Sequence, residues 1–394
     1  MGISVIQLVV VGTLITGAAN SLFTKYQDNQ CVRHCNSPDF SKHKNFEQPA
    51  IQTFQMFVGE FAMILVFLFL NRYNKRRGDY TPLDGNATEG HQGRISLLQN
   101  IRLAIPALCD LCCTTLLNIG LIYVPVSIYQ MMRGSVVLFV AIMSVLFLKR
   151  RITRLEWISL VFVTLGVFLV GLSGSTKPEP SEPSGSALAV ESSTMVLFGI
   201  LLIVIGEVLQ AFQFVIEEHI LEKHPIVPLQ IVYTEGFYGF SILFVVVVFL
   251  YFVVGAVTPK AQFKDSPFNI VEAVSQVTGN REVLLSSVCI MISIAAFNYC
   301  GITITHQVSA TARSTIDTCR TLLVWIVAIL MGWESFHLLQ CIGFAVLVFG
   351  TLCFNGVLEP ETWSFVPDYL KADVHPGERL INVIDEVDEP IERM

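Results

Sequence analysis

The sequence predicts an all-α integral membrane protein, a ten-transmembrane-helix bundle built as two inverted five-helix repeats. Composition is the first observation: the 394 residues are 53% hydrophobic and only 14% charged, with a mean hydropathy of +0.61. A soluble domain carries about 25% charged residues. The second observation is a set of about ten apolar runs near the roughly 20 residues that a span needs. The third is an echo between the halves. RGSVVLFVAIMSVLFL from Arg133 aligns without gaps to RTLLVWIVAILMGWES from Arg320. FVTLGVFLVG resembles LVFGTLCFNG once they are offset by one residue, which sets Gly166 opposite Gly350, and VGEF and TEGF put Glu60 and Glu235 in similar places.

In order, the predicted spans are 3–24, 50–71, 102–123, 126–148, 155–173, 195–219, 228–254, 283–305, 307–331 and 335–356. The first has no positively charged leader-type start, so it reads as a span and not a cleaved signal. Polar loops follow at 25–49 and 72–101, and LKRRITR closes the fourth span. The Pro/Ser/Gly-rich stretch 174–194 reads as a flexible linker. The chain thus divides into a first five-helix repeat (1–173), the linker (174–194), a second repeat (195–356) and an acidic cytosolic tail (357–394), disordered in part. Five spans per half is odd, so the second copy enters the membrane from the opposite side, as in many secondary transporters. Basic residues at Arg72, Lys75, Arg76, Arg77 and Lys149, Arg150, Arg151, Arg154 place the second and fourth loops in the cytosol. Both termini are then cytosolic, and the sequon at Asn86 goes unused.

HQVSATARSTIDTCR, His306 to Arg320, reads as the first half of the ninth span. At about 100° per residue, His306, Ser309, Arg313, Asp317 and Arg320 fall in one stripe about 80° wide. Each ionisable group inside a span costs about 2.5–3.5 kcal/mol, so such groups face partners or a wet cavity. Asp317 lies between Arg313 and Arg320 and is expected to bridge them in one state of a transport cycle and to release at least one of them in another. The stripe is either an internal staple or the charged wall of a solute pathway.

Other spans carry polar faces. Candidate pathway residues are Arg133, Arg313, Arg320, Gln130, Asn20 and Asn118; candidates for charge pairing or proton coupling are Asp317, Asp110, Glu60, Glu235 and Glu207. The arginines suit phosphate or carboxylate groups, and acids in excess suit a carboxyl that titrates. Glu217 and Glu218, at a predicted span end, read as a solvated face.

Eight of the ten cysteines lie inside predicted spans and act as small apolar fillers. Cys31 and Cys35 stand in a polar loop, where three states are open: a disulfide in an oxidising lumen, free thiols, or a zinc site with His34 and His43, whose spacing matches no recognised zinc pattern. No metal and no cofactor is expected. No HExxH, G-x-S-x-G or P-loop occurs, and a transferase built on His306 and Asn298 is the remaining enzyme reading. No basic patch with interleaved aromatics points to nucleic acid. The expected partners are a small-molecule solute and membrane lipid, with a homodimer left open.

PALCD at Pro106–Asp110, QMMRGSV at Gln130–Val136, TEGFYGF at Thr234–Phe240 and the long run from Ser309 resemble the drug/metabolite transporter superfamily. The likeness is to the orphan F-type members of solute carrier family 35, and more distantly to nucleotide-sugar transporters. It covers about Gln7 to Gly356. It implies ten helices, a central cavity and transport across an endomembrane: lysosome or vacuole, with the Golgi and mitochondrion as alternatives. It implies no particular substrate. PVSIYQ stands where small residues are expected, so Val126 and Tyr129 would narrow the cavity. Tyr80–Leu83 and Glu378–Ile381 approach sorting signals. The expected function is a secondary transporter working by alternating access, with proton coupling. The alternative is a non-transporting membrane scaffold, which needs neither a cavity nor an uncompensated acid.

Overall fold

The computed structural model describes residues 5–33, 35, 44–46, 48–77, 101–124, 126–150, 152–176, 193–223, 226–258, 263, 266, 269–332, 338–358, 360–364, 366–367 and 370. The elements run α1 Val5–Asp28, β1 Cys31–Arg33, β2 Lys44–Asn45, α2 Pro49–Arg77, α3 Ala104–Tyr123, α4 Val126–Arg133, α5 Val136–Phe147, α6 Arg154–Thr176, α7 Ser193–Lys223, α8 Pro228–Val257, α9 Ile270–Gly279, α10 Arg281–Gln307, α11 Ala310–Leu330 and α12 Leu338–Phe354. The protein is nearly all helical. Among the described residues, eight helical stretches are long and apolar enough to cross a membrane: α1, α2, α3, Ile128–Phe147 across α4 and α5, α6, α7, α8 and α10. Two more apolar helices fall outside that set for physical reasons. α11 carries Arg313, Asp317 and Arg320, and α12 is only 17 residues long.

Several local features differ from the sequence reading. The fourth span is broken: Gly134 and Ser135 donate to Met131 and Met132 at 3.0 and 2.9 Å, so the chain tightens there and separates α4 from α5. Arg133 is the last residue before the break. α7 continues four residues beyond the predicted 219, to Lys223. The ninth span does not start at 307. α10 runs through Gln307, and Ser309 then caps α11 by accepting the Ala312 N–H at 3.1 Å. His306 is therefore exposed in the last turn of α10 and leaves the stripe. The loop after α1 forms a small antiparallel β1–β2 hairpin, and Cys31 and Cys35 are joined by a disulfide. α9, an unpredicted amphipathic helix capped by Asn269, lies beside that hairpin, with Arg33 paired to Glu272 at 2.5 Å and Asn280 donating to the Cys31 carbonyl at 3.1 Å. Past α12, Trp363 stacks on Phe349 at 6.1 Å, so the start of the expected tail packs onto the bundle. Asn86, the two sorting patterns and the linker 177–192 lie outside the described residues.

The most extensive helix pairings are α6 with α12, α3 with α7, α1 with α10 and α2 with α8. Two of these crossings depend on glycine. A Cβ on Gly236 of α8 would collide with the Phe61 amide nitrogen and the Glu60 Cβ of α2. In the α6–α12 crossing the demand is reciprocal. Gly166 faces the Leu347 backbone, and a Cβ on Gly350 would stand 2.8 Å from both the Ser159 oxygen and the Val163 nitrogen. Small residues let membrane helices approach this closely.

Candidate functional site

A cavity of about 220 Å³ lies among α1, α2, α3, α4, α7, α10 and α11. Its wall on α3 is Asp110, Thr114 and Asn118, one helical face at intervals of four. α4 contributes Tyr129, Gln130 and Arg133; α7 contributes Gln210; α10 contributes Phe297 and Asn298. α11 contributes Arg320 and Trp325, and α1 contributes Asn20 and Ser21. From this middle layer the cavity extends along α1 to Asp28 and along α3 to Leu121, toward the side that carries the hairpin.

The two lining arginines are held differently. Arg320 donates from Nε to Asp317 at 2.7 Å and from Nη1 to Ser21 Oγ at 2.9 Å, with its guanidinium 5.0 Å from the Phe297 ring centre. Arg133 is looser. Its Nε lies 3.8 Å from Glu207 Oε1, beyond hydrogen-bond reach, and its side chain keeps 17% exposure. Five buried polar atoms of lining residues have no hydrogen-bond partner: Gln130 Oε1, Arg133 Nε, Gln210 Oε1, Arg320 Nη2 and Trp325 Nε1. Native interiors pair nearly all such atoms, so the polar groups behind this wall are poorly satisfied in this arrangement of the helices.

On the side away from the hairpin the bundle is closed by ion pairs. Glu217 on α7 pairs with Arg313 on α11, and Gln213 donates to Glu217 at 2.8 Å. The Arg313 guanidinium sits 4.0 Å from the Phe214 ring centre. Glu218 accepts from Arg150 at 2.6 Å and from the Ala310 N–H at 3.2 Å. A carboxylate there also complements the positive end of the α11 dipole. The solvated reading of Glu217 and Glu218 is thus corrected: both are buried, because α7 continues to Lys223 and packs against α11. Asp317 holds Arg320 alone here, and Arg313 is engaged by Glu217.

Of the candidate pathway residues, Arg133, Arg320, Gln130, Asn20 and Asn118 line the cavity, and Arg313 does not. Of the candidate acids, Asp110 lines it. Glu207 stands behind Arg133 and Asp317 behind Arg320. Glu60 is tucked behind Asn298, which donates to it at 2.5 Å, and Glu235 is buried beside it with one unpartnered oxygen. Tyr129 lines the cavity as expected, while the side chain of Val126 lies outside the described residues. Phe297, Trp325 and Ser21 were not anticipated: aromatic and hydroxyl residues are common in any span, and only the packing turns these inward. Among the described residues no group of three or more His, Cys, Asp or Glu could hold a metal ion.

Apolar helices around a charged interior cavity define a multi-pass membrane transporter. The profile of the UAA transporter family matches residues 104–357, and the chain belongs to that family. It is 34% identical over 351 residues to solute carrier family 35 member F6 of Rattus norvegicus, covering 88% of this chain and 87% of that one. With the Homo sapiens protein of the same name it is 33% identical over 372 residues, covering 93% of each. An uncharacterized protein of Schizosaccharomyces pombe is 35% identical over 346 residues, covering 88% of this chain and 96% of its own. The F-type resemblance carried by the motifs is therefore upheld, and the chain is a membrane solute transporter, not an enzyme. A crystal structure sharing 11% identity has the same fold at a TM-score of 0.54, over 89% of this chain and 96% of the other.

Proposed function

We propose that this protein is a secondary carrier that moves a small organic solute across an endomembrane by alternating access, coupled to protons. The observation that carries this reading is a charged cavity approached from one side and closed on the other by the Glu217–Arg313 and Glu218–Arg150 pairs. A scaffold has no use for such a cavity.

Counting α11 and α12 with the eight apolar spans makes ten, arranged as repeats 1–173 and 195–356. The pairings support the inversion. With spans numbered in order, the α1–α10 contact joins spans one and eight, and α3–α7 joins three and six; α2–α8 and α6–α12 each join a span to its own counterpart. That is the pattern a two-fold axis in the membrane plane produces. Basic loops put the Arg150 side in the cytosol, so the cavity faces a lumen, the lysosome or vacuole in first place. Glu60 and Glu235, sealed behind Asn298 with one oxygen unpartnered, are the proton-carrying pair in this reading. Uptake by proteoliposomes against a metabolite panel, with and without a pH gradient, tests it. We expect accumulation of at least one solute, steeper with the gradient, and loss of the gradient's effect in Glu60→Gln with Glu235→Gln. Accumulation that ignores the gradient removes the coupling, and no accumulation of any compound removes the carrier.

A further inference from the structure

The cavity wall separates its charges by sign. Arg133 and Arg320 are each backed by a carboxylate of their own, Glu207 and Asp317. At the mouth Lys25 stands with Asp28. Asp110 lines the interior with no ion-pair partner among the described residues; with the two backing carboxylates counted beside the lining charges, Asp28, Asp110, Glu207 and Asp317 against Lys25, Arg133 and Arg320 leave one negative charge in excess.

Resting on the carrier reading above, we infer that the solute is a small zwitterion of amino-acid type. Its carboxylate meets Arg133 and its ammonium group meets Asp110. Of the two lining guanidiniums Arg133 is the accessible one, at 17% exposure against 3% for Arg320, and its own carboxylate is too far away to occupy it. A carboxylate is the planar acceptor that a guanidinium fork fits. A solute that was only an anion would add to the excess negative charge in a poorly hydrated space, where like charges repel strongly. A solute that was only a cation would satisfy Asp110 and leave the accessible guanidinium of Arg133 without an acceptor. An ammonium donates N–H groups, and the Asp110 carboxylate, which lines the cavity, accepts them. Size agrees: about 220 Å³ lies below the ~300–1,000 Å³ of pockets for drug-sized ligands.

The test uses the full-length protein in proteoliposomes. The twenty amino acids are screened first by exchange of radiolabelled solute. Matched sets then separate the charges: leucine, 3-methylbutylamine and 4-methylpentanoate; serine, ethanolamine and 3-hydroxypropanoate. A nucleotide sugar completes the panel. We expect at least one amino acid to exchange, with the amine and the acid of its set slower by about tenfold or more, the loss of one charged contact. Asp110→Asn narrows the gap between zwitterion and acid, Arg133→Gln narrows that between zwitterion and amine, and Asp110→Glu retains the preference. Elution as a single species and an unchanged melting temperature show that a variant is folded. Where a variant does not fold, the wild-type comparison within each set decides alone. Exchange confined to the acids, the amines or the nucleotide sugar overturns the zwitterion and leaves the carrier standing. If no compound in the panel exchanges, both fall.

Discussion

Arg313 donates through Nη1 to Glu217 on α7, although Asp317 stands one turn away on its own helix. Asp317 is taken instead by Arg320, at 2.7 Å. The stripe on α11 is therefore two devices. Its first part, on the side away from the hairpin, ties α11 to α7, and its middle part faces the cavity.

Glu217→Gln leaves the Arg313 guanidinium buried without its counter-charge. Breaking one side of a buried pair costs about 3–5 kcal/mol, so the detergent-solubilised variant should melt well below the wild type. Glu217→Arg combined with Arg313→Glu should recover part of the loss. A single variant that melts like the wild type refutes the pair as a structural tie.

Asp317→Asn should reduce both stability and transport, because Arg320 loses the partner of its Nε. Arg320→Lys keeps the charge and loses the planar fork that reaches Asp317 and Ser21 together. It should impair transport more than melting temperature. If it folds normally and transports an identified solute at the wild-type rate, Arg320 is only a staple.

Gly236→Val should fail to assemble, since its side chain would displace the α2 backbone at Glu60 and Phe61. Gly171→Ala is the control, because nothing lies within 4 Å of the added carbon. Expression and monodispersity by size-exclusion chromatography report the difference. Normal assembly of Gly236→Val would mean that the α2–α8 crossing is loose.

The disulfide closes a loop with a separation of only 4 residues. A loop that short should contribute less than the ~3 kcal/mol expected for 15 residues. Cys31→Ser with Cys35→Ser should therefore leave the bundle folded with a modest drop in melting temperature. In wild-type vesicles opened to the lumen both thiols should resist alkylation until a reductant is added, and immediate labelling would show that the bridge does not form.

Orientation is checked at Asn86. With the second loop cytosolic, glycosidase treatment should not alter the mobility of the wild type relative to Asn86→Gln. A shift in the wild type alone reverses the topology.

The helices were legible because the bilayer demands one thing of every span, a long apolar run, and that demand is written locally. The cavity was legible in part for the same reason: Arg133, Asp110, Asn118 and Arg320 are costly in a span, so their presence announces an interior. Partner choice was not legible. Asp317 sits between two arginines in sequence, yet Glu217, 96 residues before Arg313, takes one of them. That outcome depends on α7 running past its apolar stretch to Lys223 and on Gly301 leaving space for the Arg313 side chain. Likewise the break at Gly134 and Ser135 has no proline to mark it; Gly134 seats the Leu347 side chain, and Thr318 donates to its carbonyl at 3.4 Å.

The pairings of α1 with α10 and of α3 with α7 each join one half of the chain to the other. This has a mechanical consequence. Neither half can swing as a rigid arm, because its first and third spans are clasped by spans of the opposite half. In the carrier reading the bodies that move are chimeric, each assembled from helices of both halves, and none of them depends on the covalent continuity of the stretch 174–194. Cutting the chain within that stretch and co-expressing the pieces should then leave the moving parts whole.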